Sequence, residues 1–255
     1  MKTFWLVIAL WPLAALAQIE LLPGVDPEAV FAAQSQNIRV TLRNPGNKTA
    51  SRDMQIRLFQ VSSGSAVPLG KAKPWKTIQM YPQQTVIETL ALQFPAIRAP
   101  MRFQIEFVGI GRADVMAYPN DLLKRLKLLA GELPLGVFDP DAHLKPLLKQ
   151  AGVEFTDFEI GPADSKLTLV WSDALTLPDS VLTRVKTGMV TVWIRSAPAP
   201  ATYAAHLGSG VVVVAPAATL DGLAGSPLPQ LTLLRDAEFA LEPESLRLPS
   251  DTQPQ

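Results

Sequence analysis

The chain has 255 residues, 48% of them hydrophobic, with no cysteine and with 23 acidic and 23 basic side chains. The missing cysteine removes a thiol nucleophile, a thiolate metal site and a lipidated N-terminal Cys together. Neutral overall charge without a dense basic run carrying interleaved aromatics argues against nucleic acid as a partner.

From the N-terminus, Lys2 precedes an apolar run over residues 4–16, closed by Ala15-Leu16-Ala17 before Gln18. A positive start, a short apolar core and small residues at −3 and −1 predict a secretory signal peptide over 1–17, cut after Ala17. The run is shorter than the ~20 helical residues that cross a bilayer, so no membrane span is expected after cleavage. The expected location is periplasmic or secreted, where nucleotide cofactors are scarce, and no cofactor is expected. The remaining residues suffice for two cores.

Charge divides along the chain. Residues 18–112 hold 11 Lys/Arg against 6 Asp/Glu, and residues 113–255 hold 11 against 17. Such an asymmetry fits a molecule of two parts. In the first part, residues 37–43, 54–61, 86–94 and 101–108 alternate polar and apolar side chains. Asn44-Pro-Gly-Asn47 and Ser62-Ser-Gly-Ser65 separate the early runs as turns. Period-two alternation predicts half-buried strands of an antiparallel sandwich, with Gly109-Ile-Gly111 at its end. The stretch from Asn37 to Val61 resembles the immunoglobulin-like modules common in bacterial exported proteins. That resemblance implies an immunoglobulin-like sandwich over 18–112.

The rhythm then changes. Residues 119–130 carry Leu122, Leu126 and Leu129 on one helical face, between Pro119 and Gly131, and predict a helical connector within 113–133. Strands are expected at 134–138, 153–155, 166–171, 189–194, 210–215 and 231–234, with helices at 140–151 and 178–186. Continuous apolar strands alternating with short amphipathic helices predict a mostly parallel sheet covered on both faces, over 134–241. The segment 242–255, with Pro243, Pro249 and Pro254, is expected to be a loose tail.

In an open α/β sheet, ligands sit beyond the carboxyl ends of the strands. Those ends carry Asp139, Asp141, Ser172, Asp173, Arg195, Ser196 and Ala215-Pro216. Residues 138–153 resemble the opening of a response-regulator receiver domain. The resemblance matches Asp173 to the phosphorylated Asp, Ser196 to the hydroxyl residue and Ala215-Pro216 to a Lys-Pro pair whose Lys is missing. Residues 169–173 and 187–194 are similar to class I glutamine amidotransferases, whose nucleophile elbow requires a Cys that this chain lacks. Both resemblances imply a flavodoxin-like layer architecture without a catalytic set, and neither implies a catalytic residue here.

Asp139, Asp141 and His143 have ligand chemistry suited to a hard or borderline cation. The alternative is that Asp139 caps the helix expected from Pro140, where Asp141 favours the dipole. His206 and Ser209 lie close, but Gly208-Ser-Gly210 precedes a strand, whereas a nucleophile elbow joins strand to helix. Trp171 and Trp193 fall in apolar strands and read as core, and Trp75 as exposed or half exposed. The expectation is a non-enzymatic interaction or scaffold module, an accessory to an envelope assembly, whose partners are other envelope or periplasmic proteins. The alternatives use the strand-end crevice, with Asp139, Asp173 and Arg195 serving a metal- or anion-assisted hydrolase or a small-ligand receptor.

Overall fold

The computed structural model describes residues 19–24, 26–159, 164–196 and 202–242. The expected signal peptide, its cleavage point and the tail from residue 243 lie outside the described residues. Strand outweighs helix, 43% against 19%. Among the described residues, chain contacts define two compact units, one built from residues 33–117 with the described residues up to 28, the other from 29–32 and the described residues from 118 on. Among the described residues no helix is long and apolar enough to cross a membrane.

The N-terminal half forms strands β1 (Glu20–Leu22), β2 (Glu28–Phe31), β3 (Ser35–Arg43), β4 (Ala50–Val61), β5 (Ala66–Pro68), β6 (Lys73–Met80), β7 (Thr85–Gln93), β8 (Met101–Phe107) and β9 (Gly111–Tyr118); from Ala29 on, β2 belongs to the second unit and the others make up the first. One sheet of the first unit has the order β1-β3-β7, and the other β9-β8-β4-β5 with β6 also paired to β4. Pairing is antiparallel at β1–β3, β3–β7, β4–β5, β4–β6, β4–β8 and β8–β9. Alternation explains these strands directly. Ile38, Val40 and Leu42 of β3 and Phe103, Ile105 and Phe107 of β8 are buried at every second position, as a pleated strand with one dry face requires. The rings of Phe94 and Phe103 meet edge to face, 5.3 Å between centroids.

Asn44 shows how a turn residue ties this unit together. It is fully buried. Its Nδ2 donates to the carbonyls of Lys48, Met80 and Tyr81, while its Oδ1 accepts the Gly46 N–H. A buried amide is tolerated only with such partners.

Gly109 and Gly111 do not end the sheet. Gly109, at φ 70°, turns the chain from β8 into β9. Pairing then runs from Phe107↔Gly111 to Met101↔Ala117, so the boundary expected at residue 112 falls within a strand. β6 lies outside the strands expected from alternation, and it carries Pro74 near its start. Proline is tolerated there because β6 is an edge strand.

The second unit contains a 3-10 turn (Leu122–Lys124), α1 (Arg125–Ala130), β10 (Gly136–Phe138), α2 (Lys145–Gln150), β11 (Thr156–Asp157), β12 (Leu167–Ser172), α3 (Asp179–Lys186), β13 (Val190–Arg195), β14 (Tyr203–Leu207), β15 (Gly210–Pro216) and α4 (Pro227–Leu241). The sheet order is β11-β10-β12-β13-β15-β14. All neighbours are parallel except the terminal β14–β15 pair. Two apolar layers flank the sheet. On one face α1, α2 and α4 pack Leu126, Leu148, Leu233 and Ala237 against Leu169, Val192 and Val213. On the other, Val181 and Val185 of α3 pack with Val170, Trp193, Val212 and Val214. Both faces of β12 and β15 are buried, which explains their unbroken apolar sequences. Full burial of each such side chain contributes about 1.5 to 3 kcal/mol.

Three sequence expectations fail in this unit. The strand expected at 231–234 is the middle of α4. Four apolar residues do not separate strand from helix, but Gln230, Leu233, Leu234, Ala237 and Ala240 are all buried on one helical face. The strand expected at 153–155 forms at Thr156–Asp157 instead. The helix expected from Pro140 starts only at Lys145, because Ala142 adopts φ 55° and the chain first curls around Asp139.

Candidate functional site

Strand register aligns the carboxyl ends of the parallel strands. Phe138 lies opposite Val170, and Ser172, Arg195 and Pro216 form one row across β12, β13 and β15. The expected site residues follow from this row, but they do not act together.

Asp139 is 1% exposed. Its Oδ1 accepts the His143 N–H at 3.0 Å, and its Oδ2 accepts those of Leu144 and Lys145 at 2.7 and 2.8 Å. Both oxygens are therefore occupied by the backbone entering α2, where a carboxylate satisfies otherwise orphaned donors. The Asp139 N–H donates to Glu159 Oε1 at 2.8 Å. That carboxylate and Asp157 both hold Lys145 Nζ, at 2.8 Å each. Burial works against the Lys145 charge, but its two carboxylate partners outweigh it and raise its pKa. The hydrogen bond from Lys145 is the main cause holding Asp157 below the usual carboxylate range. This assembly fixes the loop after β10.

Asp141 and His143 are exposed. The His143 ring rests 4.9 Å from the Trp171 ring centre. Among the described residues no three His, Asp or Glu side chains are grouped to hold a metal ion. Asp173 is exposed beside Ser172, whose Oγ accepts the Ala174 N–H at 3.0 Å. Among the described residues no hydrogen bond or ion pair joins Asp139, Asp173 and Arg195 to one another. Gly208-Ser-Gly210 turns the chain into β15 and packs against α3. A Cβ on Gly210 would lie 2.1 Å from the Val185 carbonyl oxygen, and Ser209 N–H donates to the Lys186 carbonyl.

What sequence reasoning missed lies on β13. Trp193 is core, as expected, at 6% exposed. Its Nε1 is nevertheless buried without a hydrogen-bond partner, as are Thr191 Oγ1 and Arg195 Nε. The Arg195 guanidinium lies 4.8 Å from the centre of the Trp193 ring. The available signal was the i, i+2, i+4 spacing of these three residues, which places them on one face of a strand.

No protein-family model and no curated protein matches the chain. Among solved structures, similarity extends to a β-glucosidase from Listeria innocua in complex with glucose, at 15% identity and a TM-score of 0.29 over 40% of this chain and 16% of that one. An alkylpurine DNA glycosylase, AlkC, from Pseudomonas fluorescens matches at 14% identity and a TM-score of 0.28, over 40% of this chain and 31% of that one. A CARDB domain from Pyrococcus furiosus matches at 14% identity and a TM-score of 0.25, over 40% of this chain and 90% of that one. The match thus spans less than a fifth of the length of the β-glucosidase.

Proposed function

We propose that the protein is an exported, non-enzymatic interaction or scaffold module acting in the periplasm or as a secreted protein. On this reading an immunoglobulin-like sandwich is followed by a helical connector and a flavodoxin-like α/β domain, and the partners are other envelope proteins. The observation that carries the proposal is the edge strand β7. It ends its sheet and pairs with β3 over nine consecutive positions without a register shift. It contains neither Lys nor Pro, its single charged side chain, Glu88, is paired with Lys76, and Ile87 is 70% exposed on it. Edge strands normally carry charges, prolines or bulges that block further pairing. β6 has such guards in Lys73, Pro74 and Lys76, and a bulge interrupts its register with β4. An edge of this length, with one charge and no Lys, Pro or bulge, suits strand addition by an extended segment of a partner. The engagement of Asp139 with the backbone supports a non-catalytic strand-end crevice.

The test is affinity capture from envelope extracts with the full-length chain carrying a C-terminal tag, beside an Ile87→Lys variant. Ile87 is exposed, so the variant is expected to fold with an unchanged melting temperature. Specific partners captured by the wild type should be lost from the variant. Identical capture by both proteins would overturn the proposal.

A further inference from the structure

Thr191, Trp193 and Arg195 alternate along β13 on the side of the sheet packed by α3. Each has a buried polar atom without a partner among the described residues. Unpaired buried polar atoms are rare enough in folded proteins to require an explanation. Arg195 also forms no ion pair among the described residues, although acids outnumber bases by 17 to 11 in residues 113–255. It stands at the carboxyl end of β13, in one row with Ser172 and Pro216. Ser172 Oγ already accepts a backbone N–H, so its own hydrogen is free to donate, and exposed Ser196 follows Arg195.

The chemistry of this row is one-sided. A guanidinium and an indole N–H only donate, and the nearby hydroxyls can donate as well. The matching ligand is an anionic acceptor. The guanidinium, which lies over the Trp193 ring, is a planar fork that matches a planar carboxylate, and a single positive charge is neutralised by a single negative one. A phosphate dianion would bring uncompensated charge to an already acidic half of the chain. We propose that Arg195, supported by Trp193 and Ser172, forms a binding site for a monocarboxylate. The carboxylate belongs either to a free small molecule or to the C-terminus of a peptide, and it accepts hydrogen bonds from the guanidinium edge. The site is independent of the β7 edge.

The test is a titration of the ¹⁵N-labelled full-length protein, observing the indole N–H of Trp193 and the Nε–H of Arg195, assigned with Trp193→Phe and Arg195→Gln variants. The probes are sodium acetate, trialanine, trialanine amide, sodium phosphate and sodium chloride at matched ionic strength. Acetate and trialanine should shift both signals saturably, while trialanine amide, phosphate and chloride should not. Tighter binding of trialanine than of acetate would assign the site to peptide C-termini, and equal binding to small carboxylates. Arg195→Lys, which keeps the charge but loses the fork, should bind about tenfold more weakly, and Arg195→Gln should show no saturable shift. Absence of saturation in the wild type, an equal response to chloride, or an undiminished response in Arg195→Gln would overturn the proposal. If Arg195→Gln fails to fold, the contrast between acetate and chloride in the wild type decides alone.

Discussion

In the first unit, charged side chains of β4, β8 and β9 share one face and answer one another across the strands. Arg57 and Arg112 flank Glu106, and Arg102 pairs with Asp114. Both Arg57 and Arg112 also lie over the Phe59 ring, at 5.2 Å. In the second unit, charges and polar groups enter the interior. Asp139 is fully engaged there, whereas Trp171 Nε1, Thr191 Oγ1, Trp193 Nε1, Arg195 Nε, Gln230 Oε1 and Asp236 Oδ2 are buried without partners among the described residues. The difference follows from architecture. A strand with one wet face can place every charge in water beside a partner, but a sheet covered on both faces leaves its polar groups only internal partners or ligands. The same mutation should therefore have unequal consequences in the two units, and the contrast can be broken experimentally.

The largest effect is expected at Asp139. Alanine there would orphan three backbone N–H groups in a buried setting, and the expected loss is about 3 kcal/mol or more in denaturant unfolding. Asparagine, with one acceptor oxygen, should recover part of it. A loss below about 0.5 kcal/mol would place Asp139 among ordinary surface positions and remove the contrast.

Asp236 should act in the opposite direction. Burial, opposed by the charge of Arg235, pushes its carboxyl up from the ordinary 3.8 to about 6. The folded state therefore holds a proton that the unfolded state releases. This contribution to stability is complete below about pH 3.8 and is lost as pH rises through about 6. At pH 8 the buried charge should cost about 3 kcal/mol. Asp236→Asn is expected to stabilise the protein by up to that amount at pH 8, and by little at pH 4. Melting curves of both proteins across this range check the sign. A destabilised variant at pH 8 would mean that the carboxylate has a partner.

The smallest effect is expected on the first unit's charged face. A double-mutant cycle of Arg57→Ala and Glu106→Ala should give a coupling of about 0.5 to 1 kcal/mol, reduced by salt, because the pair is partly exposed. A coupling above about 2 kcal/mol would show that this face behaves as an interior and erase the difference between the units.

The same contrast decides what was legible in the sequence. β3, β4, β7 and β8 could be read because each alternation records one dry and one wet face. β12, β13 and β15 could be read because burial on both faces leaves an unbroken apolar run. α4 was missed because 231–234 was read without Gln230, Ala237 and Ala240, whose spacing reveals the helix. The late start of α2 depends on the positive φ of Ala142 and on the carboxylate of Asp139, which no periodicity records. At the candidate site, position was legible and occupancy was not. Asp139, Asp173 and Arg195 could be placed at strand ends, but the hydrogen bonds that occupy Asp139 and the lack of any for Trp193 Nε1 exist only in three dimensions.

The central claim is that recognition of a partner uses the long, unbulged β7 edge of the first unit. Hydrogen–deuterium exchange of the full-length protein, alone and bound to a captured envelope partner, tests it most directly. The account predicts new amide protection concentrated in residues 85–93. Unchanged exchange there, with new protection at 172–176 and 195–196, would contradict it and move recognition to the ends of the parallel strands.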